Sequence, residues 1–118
     1  MIRIVVCATC TGDRLTAGER VSAVATAIKA AGLTDRVRIG TAECMGACAE
    51  PVALALQGAG RASYLFSGIA LADDGADIGA TCRAYLDSDD GWITDARPCG
   101  RLRLCLRARI PALPAEGR

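Results

Sequence analysis

Short apolar runs alternate along this chain with longer amphipathic stretches, and their lengths and periods predict most of its elements. Ile2 to Val6 is brief and rich in β-branched residues, as a buried strand requires. Thr16-Ala17-Gly18-Glu19 fits a capping box, in which Thr16 and Glu19 each satisfy the other's backbone N–H. Val21, Val24, Ala25 and Ile28 then recur at helical spacing, and Gly32 with Leu33 supplies a left-handed stop and its apolar partner. Val37 to Ile39 predicts a second strand. Val52, Leu54 and Leu56 alternate with Ala53 and Ala55, and Ala62 to Phe66 return after Gly58-Ala59-Gly60, which predicts a hairpin. Asp73 or Asp74 can cap a second helix with Ile78, Cys82, Tyr85 and Leu86 on one face; Gly75 and Gly79 each weaken it by roughly 1 kcal/mol. Asp87 to Gly91 lacks the EF-hand ligand spacing and reads as a turn. From Arg101 to Arg109 the pattern fits a strand, through Leu102, Leu104 and Leu106, and also a helix, through Leu102, Cys105, Leu106 and Arg109.

The predicted order is β-α-β-β-β-α, that of an α/β, thioredoxin-like fold with a single sheet, followed by a tail. The 118 residues suit one domain. Residues 1–96 are expected to form one thioredoxin-like domain, and 97–118 a basic C-terminal extension packed on it. Charge separates the two: residues 1–96 carry eight basic and twelve acidic side chains, whereas 97–118 carry six arginines against Glu116. Such a tail can steer an acidic partner, or it can be a solvated segment. No apolar stretch approaches the ~18 residues of a membrane span. The N-terminal run reads as a strand rather than a signal peptide, so a cytoplasmic location is expected.

Against this frame stand seven cysteines and no histidine. Four cysteines form two tight pairs, Cys7 with Cys10 and Cys44 with Cys48, each just after a predicted strand. Four converging thiolates suit an iron–sulfur cluster or zinc, and the lack of imidazole excludes Rieske centres, His-ligated haem and mixed Cys/His zinc. Gly12 and Gly46 leave room for close backbone approach to the sulfurs. Cys82, on the apolar stripe of the second helix, and Cys105, among leucines, read as small hydrophobes. Cys99, in Arg97-Pro98-Cys99-Gly100, reads as a turn cysteine open to a regulatory, ligand or disulfide role.

Cys44-Met45-Gly46-Ala47-Cys48, then Pro51-Val52-Ala53-Leu54 and Tyr64-Leu65-Phe66, resembles the second half of thioredoxin-like [2Fe-2S] ferredoxins. The resemblance implies one [2Fe-2S] cluster held by Cys7, Cys10, Cys44 and Cys48. It also implies a one-electron carrier rather than an enzyme, with a protein redox partner and neither nucleic acid nor membrane. The close spacing of Cys7 and Cys10, with Arg97-Pro98 and Ile110-Pro111, is more similar to a Cys-rich branch described only as metal-binding. That branch is associated with aerobic cobalamin synthesis, which brings in a cobalt-related role. Two alternatives stay open: a thiol–disulfide oxidoreductase using Cys7 and Cys10, and a zinc or cobalt accessory module. Tyr64, Phe66 and the tail leucines are candidates for a self-association face, and the resemblance permits a homodimer.

Overall fold

Strand β1 (Ile2–Cys7) is hydrogen-bonded along both edges and organises the sheet around it. In a computed structural model of the protein, which describes residues 1–8, 15–43 and 52–113, five strands lie in the order β2-β1-β3-β4-β5. The others are β2 (Val37–Ala42), β3 (Leu54–Gln57), β4 (Ser63–Phe66) and β5 (Leu106–Ile110). Among the described residues only β1 and β2 pair in parallel, with Ile2 opposite Val37 and Cys7 opposite Ala42. The remaining pairs are antiparallel, so the sheet is mixed. The described residues also form three helices of this α/β domain: α1 (Ala17–Ala30), α2 (Gly75–Asp87) and a 3-10 helix (Arg97–Leu104).

Both ends of α1 follow from local sequence. The Thr16 hydroxyl accepts from the Glu19 N–H at 3.1 Å, and the Glu19 carboxylate accepts from the Thr16 N–H at 2.9 Å. At the other end Gly32 adopts φ 73°, and the Leu33 N–H reaches back to the Ile28 carbonyl at 3.1 Å, leaving the Leu33 side chain buried. The helix is rotated from its expected face. Arg20, Val24, Ala27 and Ile28 are buried, whereas Ala25 is exposed and Val21 only half-buried. The i, i+4, i+8 row therefore won over the row that excluded the arginine.

Ile2, Ile4, Val6, Leu54, Leu56, Tyr64 and Phe66 pack with Val24, Ile28, Ile78, Cys82 and Tyr85 in one core. Gly79 has a packing reason: a Cβ there would come within 2.8 Å of the Ala31 Cβ and 3.3 Å of the Ala27 carbonyl oxygen. Its cost in helix propensity is offset by the close approach of α1 and α2. Tyr64 and Phe66 are buried, with ring centroids 6.0 Å apart, and the Tyr64 hydroxyl accepts from the Ile93 N–H at 2.8 Å. They are core residues, so the expected self-association face does not include them.

The ambiguous segment uses both periods in succession. Residues 97–104 are 3-10 helix, kinked at Gly100 (φ 59°), and 106–110 form β5 along the edge of β4. Leu102 is fully buried, Leu106 half-buried, and Leu104 71% exposed, so the three leucines share no face. Asp74 occupies the cap position of α2, yet its side chain makes no cap hydrogen bond. Its carboxylate instead accepts from the Ala70 N–H at 2.8 Å and from Arg101 at 2.9 and 2.7 Å. This ion pair, buried at Asp74 and half exposed at Arg101, latches the C-terminal segment to the helix. No helix among the described residues is long and apolar enough to cross a membrane.

Candidate metal centre

The parallel pairing of β1 and β2 brings their carboxyl ends to one end of the sheet, where ligands of open α/β sheets gather. Cys7 closes β1 there. Its N–H donates to the Ala53 carbonyl at 3.0 Å, and the next residue, Ala8, donates to the Ala42 carbonyl at 2.8 Å. Its thiol donates to the Glu43 carbonyl at 3.3 Å. Cys7 is thus held between the end of β2 on one side and the approach to β3 on the other, and it is 1% exposed.

Cys10, Cys44 and Cys48 lie outside the described residues. The described residues that border them are informative. Ala8 precedes the first segment and Glu43 the second, and Val52 and Ala53 follow the second. Main-chain hydrogen bonds join Cys7 and Ala8 to Ala42 and Ala53 at a single end of the sheet. A donor set drawn from these segments starts from backbone already gathered together. Among the described residues no group of three or more Cys, Asp or Glu side chains makes a cage.

Two further side chains at this end bear on what the site can hold. Arg20, from the second turn of α1, is fully buried, and its Nη1 donates to the Cys7 carbonyl at 3.0 Å. The sequence reading passed over it. The signal was there: Arg20 falls four residues before Val24 and eight before Ile28, on the apolar row. Ser67, just beyond β4, is buried with its hydroxyl lacking a hydrogen-bond partner among the described residues. β4 runs parallel to β1 through β3, so Ser67 also belongs to this end of the sheet.

The other cysteines sit in different surroundings. Cys82 is 0% exposed on α2, and burial, with Cys99 adding to it, pushes its thiol up to about 12. At neutral pH it is a protonated thiol. Cys99 and Cys105 are buried as well, and Cys82, Cys99 and Cys105 stand outside any disulfide. Cys99, read from the sequence as a turn residue, lies in the 3-10 helix and is 3% exposed. It lines a cavity of about 60 Å³ with Tyr64, Phe66, Ile93 and Leu106, far below the roughly 300 Å³ at which small-molecule sites begin.

The basic segment is largely occupied within the chain. Arg101 binds Asp74 and the Gly68 carbonyl, Arg97 grips Asp95 through Nε and Nη2 at 2.9 Å each, and Arg109 lies 3.7 Å over the Trp92 ring. Arg97 draws the Asp95 carboxyl down to about 2 by hydrogen bonding. Arg101 and Arg109 thus tie the tail to the body, whereas the Arg97–Asp95 pair is local and exposed.

Residues 4–112 match the model of a family described as "Protein of unknown function (DUF1636)", and the chain belongs to that family. No curated protein and no solved structure matches it.

Proposed function

We propose that this member of the DUF1636 family holds a [2Fe-2S] cluster through Cys7, Cys10, Cys44 and Cys48 and carries single electrons to a protein partner. One observation carries the reading: the backbone flanking both cysteine pairs meets at one end of the sheet, around Cys7. The donor set agrees, since a chain without histidine offers thiolates and hard oxygens, and iron–sulfur clusters take thiolates. Strands β2-β1-β3-β4, with β3 alone running against the rest, also suit the thioredoxin-like ferredoxin arrangement that the sequence resembles. When bound, such a cluster supplies reversible one-electron transfer. The chain's part is to hold four sulfurs, exclude water around Cys7 and fix the charge nearby.

The thiol oxidoreductase alternative is less well supported. An attacking thiolate must be reached by its substrate, and Cys7 is 1% exposed with its thiol turned to the Glu43 carbonyl. A zinc module shares the donor chemistry and differs in metal. Anaerobic purification separates the two: about two irons and two acid-labile sulfides per chain, with a red-brown colour, are expected. Stoichiometric zinc without iron would overturn the cluster.

The partner is expected to be an acidic redox protein. With Arg97 and Arg101 bound within the chain, steering falls to Arg103, which is exposed. Electron transfer to a partner identified by pull-down should slow with salt in the parent and less so in Arg103→Ala. Equal salt dependence in both would reject steering by this segment.

A further inference from the structure

At the end of the sheet away from Cys7, arginines stand side by side. Arg3 on β1 is paired in register with Arg38 on β2 and with Gln57 on β3. Ile2 and Ile4 turn into the core, so Arg3, between them, projects from the opposite face of the sheet. Neighbouring strands lie ~4.8 Å apart, and like charges placed alongside each other across them repel. A carboxylate nearby would relieve the repulsion. Yet neither guanidinium forms an ion pair or a hydrogen bond with the described residues. The neighbouring strand also shapes where Arg3 lies. Gly40, inside β2, has no positive φ that would require glycine. A Cβ there would come within 2.5 Å of the Arg3 Nη2, 2.6 Å of Nε and 2.9 Å of Cζ. Glycine in a strand interior often marks a close approach. At residue 40 the missing side chain leaves a shelf for the Arg3 guanidinium.

Arg3 and Arg38 open onto a cavity of about 360 Å³, which Gln57, Gly58 and Ser63 also line, and which is within the range of small-ligand sites. Among its described lining residues none is acidic and none aromatic. The Gln57 amide and the Ser63 hydroxyl offer neutral donors beside the charges. A guanidinium is a rigid fork of N–H groups that matches phosphate oxygens bidentately. Forks on adjacent strands can each take one of a pair of linked phosphoryl groups. With no ring to stack on, a nucleobase gains nothing here, so selection falls on the phosphates. We propose that Arg3 and Arg38, with Gln57 and Ser63, bind a small soluble molecule through its diphosphate group. Arg3 precedes Cys7 by about 13 Å of strand, and the site does not depend on the [2Fe-2S] reading.

The test is equilibrium dialysis of the full chain against radiolabelled inorganic diphosphate at ~0.1 M salt, where charges beyond ~10 Å are screened. The parent should bind a single diphosphate per chain, about tenfold more tightly than inorganic phosphate. Arg3→Ala and Arg38→Ala should each weaken binding about tenfold or more. Arg83→Ala, which removes an exposed arginine of α2, should leave it unchanged. Gly40→Ala is the discriminating variant. It keeps every charge and loses glycine's extra backbone freedom, but its methyl displaces the Arg3 guanidinium. Affinity should fall about fivefold while the melting temperature does not fall. Absence of binding by the parent overturns the site. Equal loss in Arg83→Ala also overturns it, because the attraction would then be one of overall charge. Diphosphate retained in both Arg3→Ala and Arg38→Ala would be held elsewhere, by a bound metal for instance, and the site would fall. Equal affinity for phosphate and diphosphate would reject the paired forks, and an unaltered Gly40→Ala would reject the placement of Arg3.

Discussion

Cysteines occupy two regions of this protein under opposite physical conditions. Beneath the C-terminal segment, Cys82, Cys99 and Cys105 are packed with Ile78, Tyr85 and Leu102, and burial drives the Cys82 thiol up to about 12. At the carboxyl end of β1, Cys7 is equally buried but is surrounded by carbonyls of Glu43 and Ala53 and by the guanidinium bound to its own carbonyl. Burial by itself therefore does not single out a predicted ligand. What distinguishes Cys7 is its place: it ends β1, hydrogen-bonded to the backbone of Glu43 and Ala53, whereas Cys82, Cys99 and Cys105 line the core.

The sharpest test of that contrast removes one predicted ligand sulfur. Cys44→Ala should reduce iron from about two per chain to near none, because three thiolates leave one iron open. Full iron retention would erase the distinction between the regions. The next effect in size concerns the segment that covers the second region. Gly100 adopts φ 59°, and a Cβ there would run into the Asp77 carboxylate, which accepts from the Arg101 N–H at 3.0 Å. Gly100→Ala should destabilise the chain by about 3 kcal/mol in denaturant melts, and Cys99 should become open to alkylation while iron content holds.

Asp74→Asn attacks the same cover by its charge. Breaking a buried pair typically costs 3–5 kcal/mol; with Arg101 half in water, about 2 kcal/mol is expected. The hydrogen bonds from Arg101 hold the Asp74 carboxyl below its ordinary value of 3.8, against the opposing pull of burial. A depressed folded pKa contributes stability that is complete above the ordinary value and lost as pH falls through the depressed one. The parent should therefore lose more stability than Asp74→Asn on acidification below about pH 4. An identical acid profile in both would remove the latch. The smallest effect belongs to Cys82→Ala, about 1 kcal/mol with the iron unchanged. Iron loss there would show that the two regions are coupled.

The secondary structure was legible wherever local chemistry acts alone. Thr16 with Glu19, and Gly32 with Leu33, define both ends of α1 through bonds within a few residues of each other. The strands were legible from their runs, though β2 extends to Ala42 because parallel pairing with β1 continues past the apolar residues. The 101–109 segment was not, because its leucines satisfy two periods equally. Gly100 breaks the chain and the free edge of β4 recruits Leu106–Ile110, and neither partner can be read from the segment itself.

The sequence by itself determined the chemistry open to this protein. Seven cysteines without histidine restrict any soft-metal site to sulfur ligands, and the two close pairs follow strands. Tertiary structure decided how that chemistry is set apart. Register joins Cys7 to Ala42 and Ala53, the rotation of α1 buries Arg20 against the Cys7 carbonyl, and packing converts Cys99 from an apparent turn residue into core. The reason is physical: a residue's type states which bonds it can form, whereas its pKa, exposure and charge environment depend on elements far away in the chain.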